Sequence, residues 1–127
     1  MPDDVGDLDE RGGAIQRKLW GEGVGRGTPN TPASRLAPDF FTLVRQFAFG
    51  MFWDRPQLAT RDRSLATVAM LAALGKTEEL RPHLVGARNV GLTKEELVEV
   101  LMQSAVYAGV PAAVNALTAA ADVLGTD

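Results

Sequence analysis

The chain has no cysteine, only one histidine and one tyrosine, no excess of basic charge, and no long apolar run. Each shortage removes a class of function. Without cysteine there can be no disulfide, no thiolate metal site and no thiol redox chemistry. One histidine without cysteine gives no recognisable transition-metal site, so no metal ligands are expected. A net charge of −3 leaves no basic footprint for nucleic acid. No apolar stretch approaches the roughly 20 residues of a membrane span, and the N-terminal MPDDVGDLDERGG is acidic rather than signal-like. The expectation is a cytoplasmic protein with no membrane contact.

What remains is a chain of 127 residues, enough for one domain with a proper core. Residues 1–36 read as a flexible N-terminal segment. Its first thirteen residues are too polar to bury much. A short helix over Ala14–Trp20 is stopped by Gly21, Gly23, Gly25 and Gly27, and Thr28–Pro38, with three prolines, reads as an extended connection. Residues 37–127 read as a helical domain. Pro38 suits a first helical position, and Phe40, Leu43, Val44 and Phe47 follow at helical spacing until Trp53-Asp54-Arg55-Pro56 breaks the run. TRDRSLATVAMLAALG is apolar on nearly all sides and stops at Gly75.

The next helix, from Thr77 to a stop at Gly91, carries the single histidine, His83. Pro82 predicts a kink there, or a short turn that restarts at Arg81. Thr93-Lys94-Glu95-Glu96 is a capping box, opening a helix that buries Leu97, Val98, Leu101 and Ala105. Tyr107-Ala108-Gly109-Val110-Pro111 is a tight break before an alanine-rich last helix. No strand pattern or repeat appears. The reading is all-α, with about six helices.

Four pieces, FAFGMFWDRPQL, TRDRSLATVAMLAALG, EELRPHLVGARNVGLTKEEL and VLMQSAVYAGVPAAVNAL, follow one another in the order and at the spacing of a known family. From Asp39 to Leu124 the chain resembles carboxymuconolactone decarboxylase of the protocatechuate branch, within the alkylhydroperoxidase D-like superfamily. The resemblance implies an alkylhydroperoxidase D-like helical fold with a helical hairpin at its core. It also implies a homo-oligomer, a trimer or hexamer, with active sites near subunit contacts. Where the superfamily's peroxidases carry a Cys-x-x-Cys pair, this chain has Lys76 and Glu79, which excludes peroxidase chemistry. Ser64 stands where the peroxidases place a glutamate. The decarboxylases' N-terminal His-Val-Asp-Arg run is matched only by Gly23-Val24-Gly25-Arg26, and Ala108 sits where many relatives have cysteine.

The implied reaction removes a γ-carboxylate from an unsaturated lactone whose own carbonyl accepts the electrons, so no cofactor is required. The protein must stabilise charge on that oxygen, supply a proton, hold the remaining carboxylate and exclude water. His83 is the candidate proton donor or oxyanion partner. Glu79, four residues earlier on the same helical face, could orient the imidazole or favour its charged form. The alternative for His83 is a structural histidine bonded to a carbonyl. Arg55, Arg63 and Arg81 are candidate carboxylate anchors, with Arg55 favoured because it lies in a rigid break beside aromatic residues; a surface ion pair is the alternative for each. Trp53 and Phe49 could line a flat pocket or simply be core. Tyr107 could offer a hydroxyl, and Ser64 faces the same cavity in this reading.

Three functions compete. One is a cofactor-free lyase acting on a γ-carboxymuconolactone-type small molecule. The second keeps the scaffold for natural-product biosynthesis, to decarboxylate, isomerise, dehydrate or cyclise a larger lactone or polyketide-like substrate. The third is a non-catalytic helical binding protein.

Overall fold

Helix starts in this chain are written by proline and threonine, and helix ends by glycine. The computed structural model describes residues 5–127. It contains α1 (Val5–Trp20), α2 (Pro32–Leu36), α3 (Pro38–Val44) running on into a π-helical stretch (Arg45–Trp53), α4 (Thr60–Ala73), α5 (Thr77–Asn89), α6 (Lys94–Ala108) and α7 (Val110–Leu124). Among the described residues there is no strand, so the all-α reading holds, with seven α-helices in place of about six. None is long and apolar enough to cross a membrane. The chain divides into two compact units between Leu58 and Ala59.

In the first unit, α1 begins at Val5 rather than Ala14. Residues 1–4 of the segment read as mobile lie outside the described residues. Gly12 and Gly13 inside α1 are contact positions. A Cβ on Gly12 would overlap the Arg45 carbonyl, and one on Gly50 would overlap the Leu8 carbonyl. Only glycine lets the two backbones approach this closely. Leu8, Ile15, Leu19 and Phe49 fill the contact. Phe49 lies edge-on to Trp20 (centroids 5.7 Å apart) and stacks with Trp53 (5.7 Å).

Charge completes this unit. Arg45 is 4% exposed; its Nε donates to Asp9 Oδ1 at 2.8 Å and its Nη1 to the Gly27 carbonyl at 2.6 Å. Arg11 pairs with Asp54, an interaction that holds the guanidinium above its ordinary pKa. The connection over Thr28–Pro38 is not wholly extended. Pro32 and Pro38 both occupy first helical positions, where the missing N–H costs nothing. Thr31 and Ser34 form a reciprocal capping box that stabilises the five-residue α2. The helix runs through Gly50 to Trp53, where the expected break lies, with the wider i→i+5 bonding; Asp54 N–H donates to the Phe49 carbonyl at 3.1 Å.

The second unit is built from aliphatic stripes. Val68 and Ala72 of α4, Leu80, Leu84 and Ala87 of α5, Leu92, Leu97 and Leu101 on and before α6, and Ala116, Ala119 and Ala120 of α7 form one buried cluster. Alanine on α7 leaves room for leucine from α5 and α6, which keeps the packing dense. The stops lie where glycine puts them: Gly75, Gly91 and Gly109 have φ of +71°, +105° and +102°. Thr93 Oγ1 accepts from Glu96 N–H at 3.0 Å, and Glu96 Oε1 accepts from Thr93 N–H at 2.9 Å. Arg61 of α4 reaches the same glutamate and joins the starts of α4 and α6. These contacts hold the Glu96 carboxyl below its usual pKa, the Thr93 backbone bond first among them.

Candidate functional site: the α4–α5 hairpin

α4 and α5 pack against each other as a hairpin closed by Gly75. Ser64 is the one polar side chain in their buried stripes, and the half-buried His83 lies beside the stripe of α5. Ser64 stands one turn before Val68 and two before Ala72, and all three are buried. His83 lies between Leu80 and Ala87 at the i−3 and i+4 positions, so it shares the face they bury.

α5 is a single helix from Thr77 to Asn89 with Pro82 inside it. The restart at Arg81 does not occur. Proline removes only one rung of the ladder, and the aliphatic stripe on either side holds the helix together across the gap. His83 is half-buried, and its Nδ1 is shut off from solvent. Burial pushes its pKa below the ordinary 6.5 because a charged imidazole would lose hydration there. This direction is opposite to that expected from pairing with Glu79. Glu79 is exposed on α5 and does not enter among the causes of the shift. The imidazole is therefore uncharged at neutral pH.

The remaining sequence-derived residues are distributed over both units. Phe49 and Trp53 belong to the aromatic stack of the first unit, with Phe49 only 7% exposed. Arg55 is exposed in the turn that follows. In the second unit, Arg81 of α5 pairs with Asp122 of α7 at 3.0 Å, a tie between two helices. Tyr107 is 85% exposed at the end of α6. Arg63 is half-buried beside Ser64 on α4, and its Nε is shut off from solvent. A separate cavity of about 260 Å³ lies between the start of α6 and the end of α7, lined by Lys94, Val98, Leu117 and Leu124, and contains none of these residues.

The buried Arg45 of the first unit escaped sequence reasoning. An arginine amid phenylalanines carries a weak signal, and its partner Asp9 is distant in sequence. Likewise the Arg61–Glu96 link could be suspected only from Glu96, already visible as a capping group.

Residues 38–122 match the carboxymuconolactone decarboxylase family. A 4-carboxymuconolactone decarboxylase of Acinetobacter baylyi is 45% identical over 85 residues, covering 67% of this chain and 63% of the relative. A nitrosuccinic acid decarboxylase of Metarhizium robertsii, npaB, is 36% identical over 87 residues, covering 68% of this chain and 59% of the relative. The matched part thus spans somewhat less than two thirds of each relative's length. A match that takes in the π-helical stretch, the α4–α5 hairpin and nearly all of α7 is enough to decide kinship: the chain belongs to the carboxymuconolactone decarboxylase family.

Proposed function

We propose that this protein is a cofactor-free decarboxylase whose substrate carries its own electron sink. The observation that carries the reading is a half-buried His83, its Nδ1 shut off from solvent, on the α4–α5 hairpin of a chain belonging to this family. The names of the two relatives point to one chemistry. Each denotes loss of carbon dioxide from a molecule with an electron-accepting group, a conjugated lactone carbonyl in one and a nitro group in the other.

In the lactone case the C–C bond to the departing carboxylate breaks and carbon dioxide leaves. The electron pair passes through the ring double bond onto the carbonyl oxygen. The resulting dienolate takes one proton on carbon, giving the enol-lactone, so one proton is consumed per carbon dioxide released. Uncharged His83 donates a hydrogen bond to the oxygen on which charge develops. A neutral donor of this kind strengthens as the charge grows and needs no ionisation change of its own. Among the arginines, Arg63 is half-buried on α4 of the hairpin whereas Arg55 is exposed, so we assign the retained carboxylate to Arg63 ahead of Arg55. The aliphatic stripes of α4 and α5 favour expulsion of carboxylate as neutral carbon dioxide.

The test is direct. Purified protein given 4-carboxymuconolactone should release carbon dioxide and form the enol-lactone without added metal or cofactor. His83→Gln should lower kcat by about 100-fold or more. Full activity in that variant removes His83 from the reaction.

A second reading keeps the scaffold and changes the substrate. The nitrosuccinic acid decarboxylase favours it, because a relative with similar coverage is named for a substrate without a lactone ring. Turnover of nitrosuccinate in preference to the lactone would select it. We further propose a homo-oligomer, a trimer or hexamer, supported by the apolar surface of Val106, Tyr107, Val110 and Val114. Native mass measurement decides the number.

A further inference from the structure

Of the three buried hydroxyl residues among those described, two are satisfied. Ser104 donates to the Leu101 carbonyl at 2.6 Å, and Ser34 is held within the Thr31 capping box and by the Pro29 carbonyl. Ser64 is 0% exposed, yet its Oγ finds no hydrogen-bond partner among the protein's described groups. Helical hydroxyls ordinarily turn back on the carbonyl three or four residues earlier. In this chain Thr42, Thr67 and Thr118 do so, to Pro38, Arg63 and Val114. Ser64 has the same option through the carbonyls of Thr60 and Arg61 and does not take it. A buried polar atom that forgoes an available partner calls for an explanation, and a ligand atom is one.

We infer that the Ser64 hydroxyl is a substrate-binding group, donating to the electron-accepting oxygen of the substrate from α4 while His83 donates from α5. The inference rests on the decarboxylase reading for the identity of that oxygen. Both donors are uncharged, which suits a carbonyl or nitro oxygen better than a carboxylate; the carboxylate calls for a guanidinium. The hydroxyl contributes little while the oxygen is neutral and more as electrons arrive, so its effect falls on kcat rather than KM. With no partner among the described groups, the hydroxyl also adds nothing to stability. Function and folding therefore separate at this position.

Ser64→Ala is the test, read by three measurements. With 4-carboxymuconolactone as substrate, kcat should drop about tenfold to a hundredfold with KM nearly unchanged. The thermal midpoint of the unliganded variant should equal or exceed that of the wild type. A crystal structure of the unliganded wild type should show Oγ turned away from the carbonyls of Thr60 and Arg61. A lowered midpoint with kcat unchanged overturns the inference, as does a rise in KM alone or an Oγ bonded to either carbonyl. Wild-type protein that decarboxylates neither the lactone nor nitrosuccinate defeats the decarboxylase reading instead. The hydroxyl is then judged by the midpoint and the crystal structure, where a lowered midpoint or a bond to its own helix rejects it as a ligand-binding group.

Discussion

The two units reach order by different means. The first brings backbones together at Gly12 and Gly50, packs Trp20 edge-on against a Phe49–Trp53 stack, and buries a guanidinium between Asp9 and Gly27. The second interlocks leucine, valine and alanine stripes between glycine stops and a threonine cap. The first depends on particular close contacts between residues far apart in sequence. The second depends on periodicity, to which every turn of helix contributes. A substitution that is harmless in one should therefore be costly in the other.

The strongest test of that contrast lies in the aliphatic core. Leu84 is 0% exposed at the centre of the second unit. Leu84→Ala should cost about 2–5 kcal/mol, read as a lower midpoint in urea unfolding followed by circular dichroism. A cost below about 1 kcal/mol would mean that the core can collapse around the loss, and the contrast would weaken.

In the first unit the informative change adds atoms instead of removing them. Gly12→Ala would be favourable in an isolated helix by about 1 kcal/mol. Here it should destabilise by about 1–3 kcal/mol, because the methyl group meets the Arg45 carbonyl. Limited proteolysis should show earlier cutting within α1. Stabilisation by this substitution would show that the helices do not meet backbone to backbone.

At the boundary between α5 and α6, Thr93→Ala should cost about 1 kcal/mol through the lost cap. Thermal unfolding reads it, and Thr93→Ser should restore most of the loss.

The smallest effect is one of pH. The folded protein holds the His83 pKa below 6.5, while the unfolded chain returns it to about that value. The unfolded state therefore binds the proton first as pH falls. The stability contributed by His83 is fully present above about pH 6.5. It declines as the pH drops from there toward and through the lowered folded value. The decline should disappear in His83→Gln, checked by midpoints measured across the acid range.

Legibility in the sequence follows the same division. The stops at Gly75 and Gly91, the Thr93 box and the Gly109–Pro111 break are local devices, each using residues within a few positions, and the structure has them where the chain suggests. The start of α1 was not legible. The first thirteen residues read as too polar to bury much, and only their partners, Arg45 and Gly25, reveal Gly12 and Gly13 as points of close approach. α2 was hidden by the prolines of Thr28–Pro38: Pro38 begins a helix as read, and Pro32 turns out to begin one too. At the candidate site, the sequence singled out His83 and Ser64. It could not show that burial would hold the imidazole uncharged, or that the serine would decline its own helix, because both depend on the surroundings that the fold supplies.

One consequence of the aromatic stack is optical. Both tryptophans and all five phenylalanines precede Leu58, and Tyr107 is the one benzenoid ring beyond it. Light absorbed by indole therefore reports on α1 and the π-helical stretch, while the half that carries His83 emits almost nothing of its own. A dye or quencher that dims the emission has come within reach of the first unit's indoles.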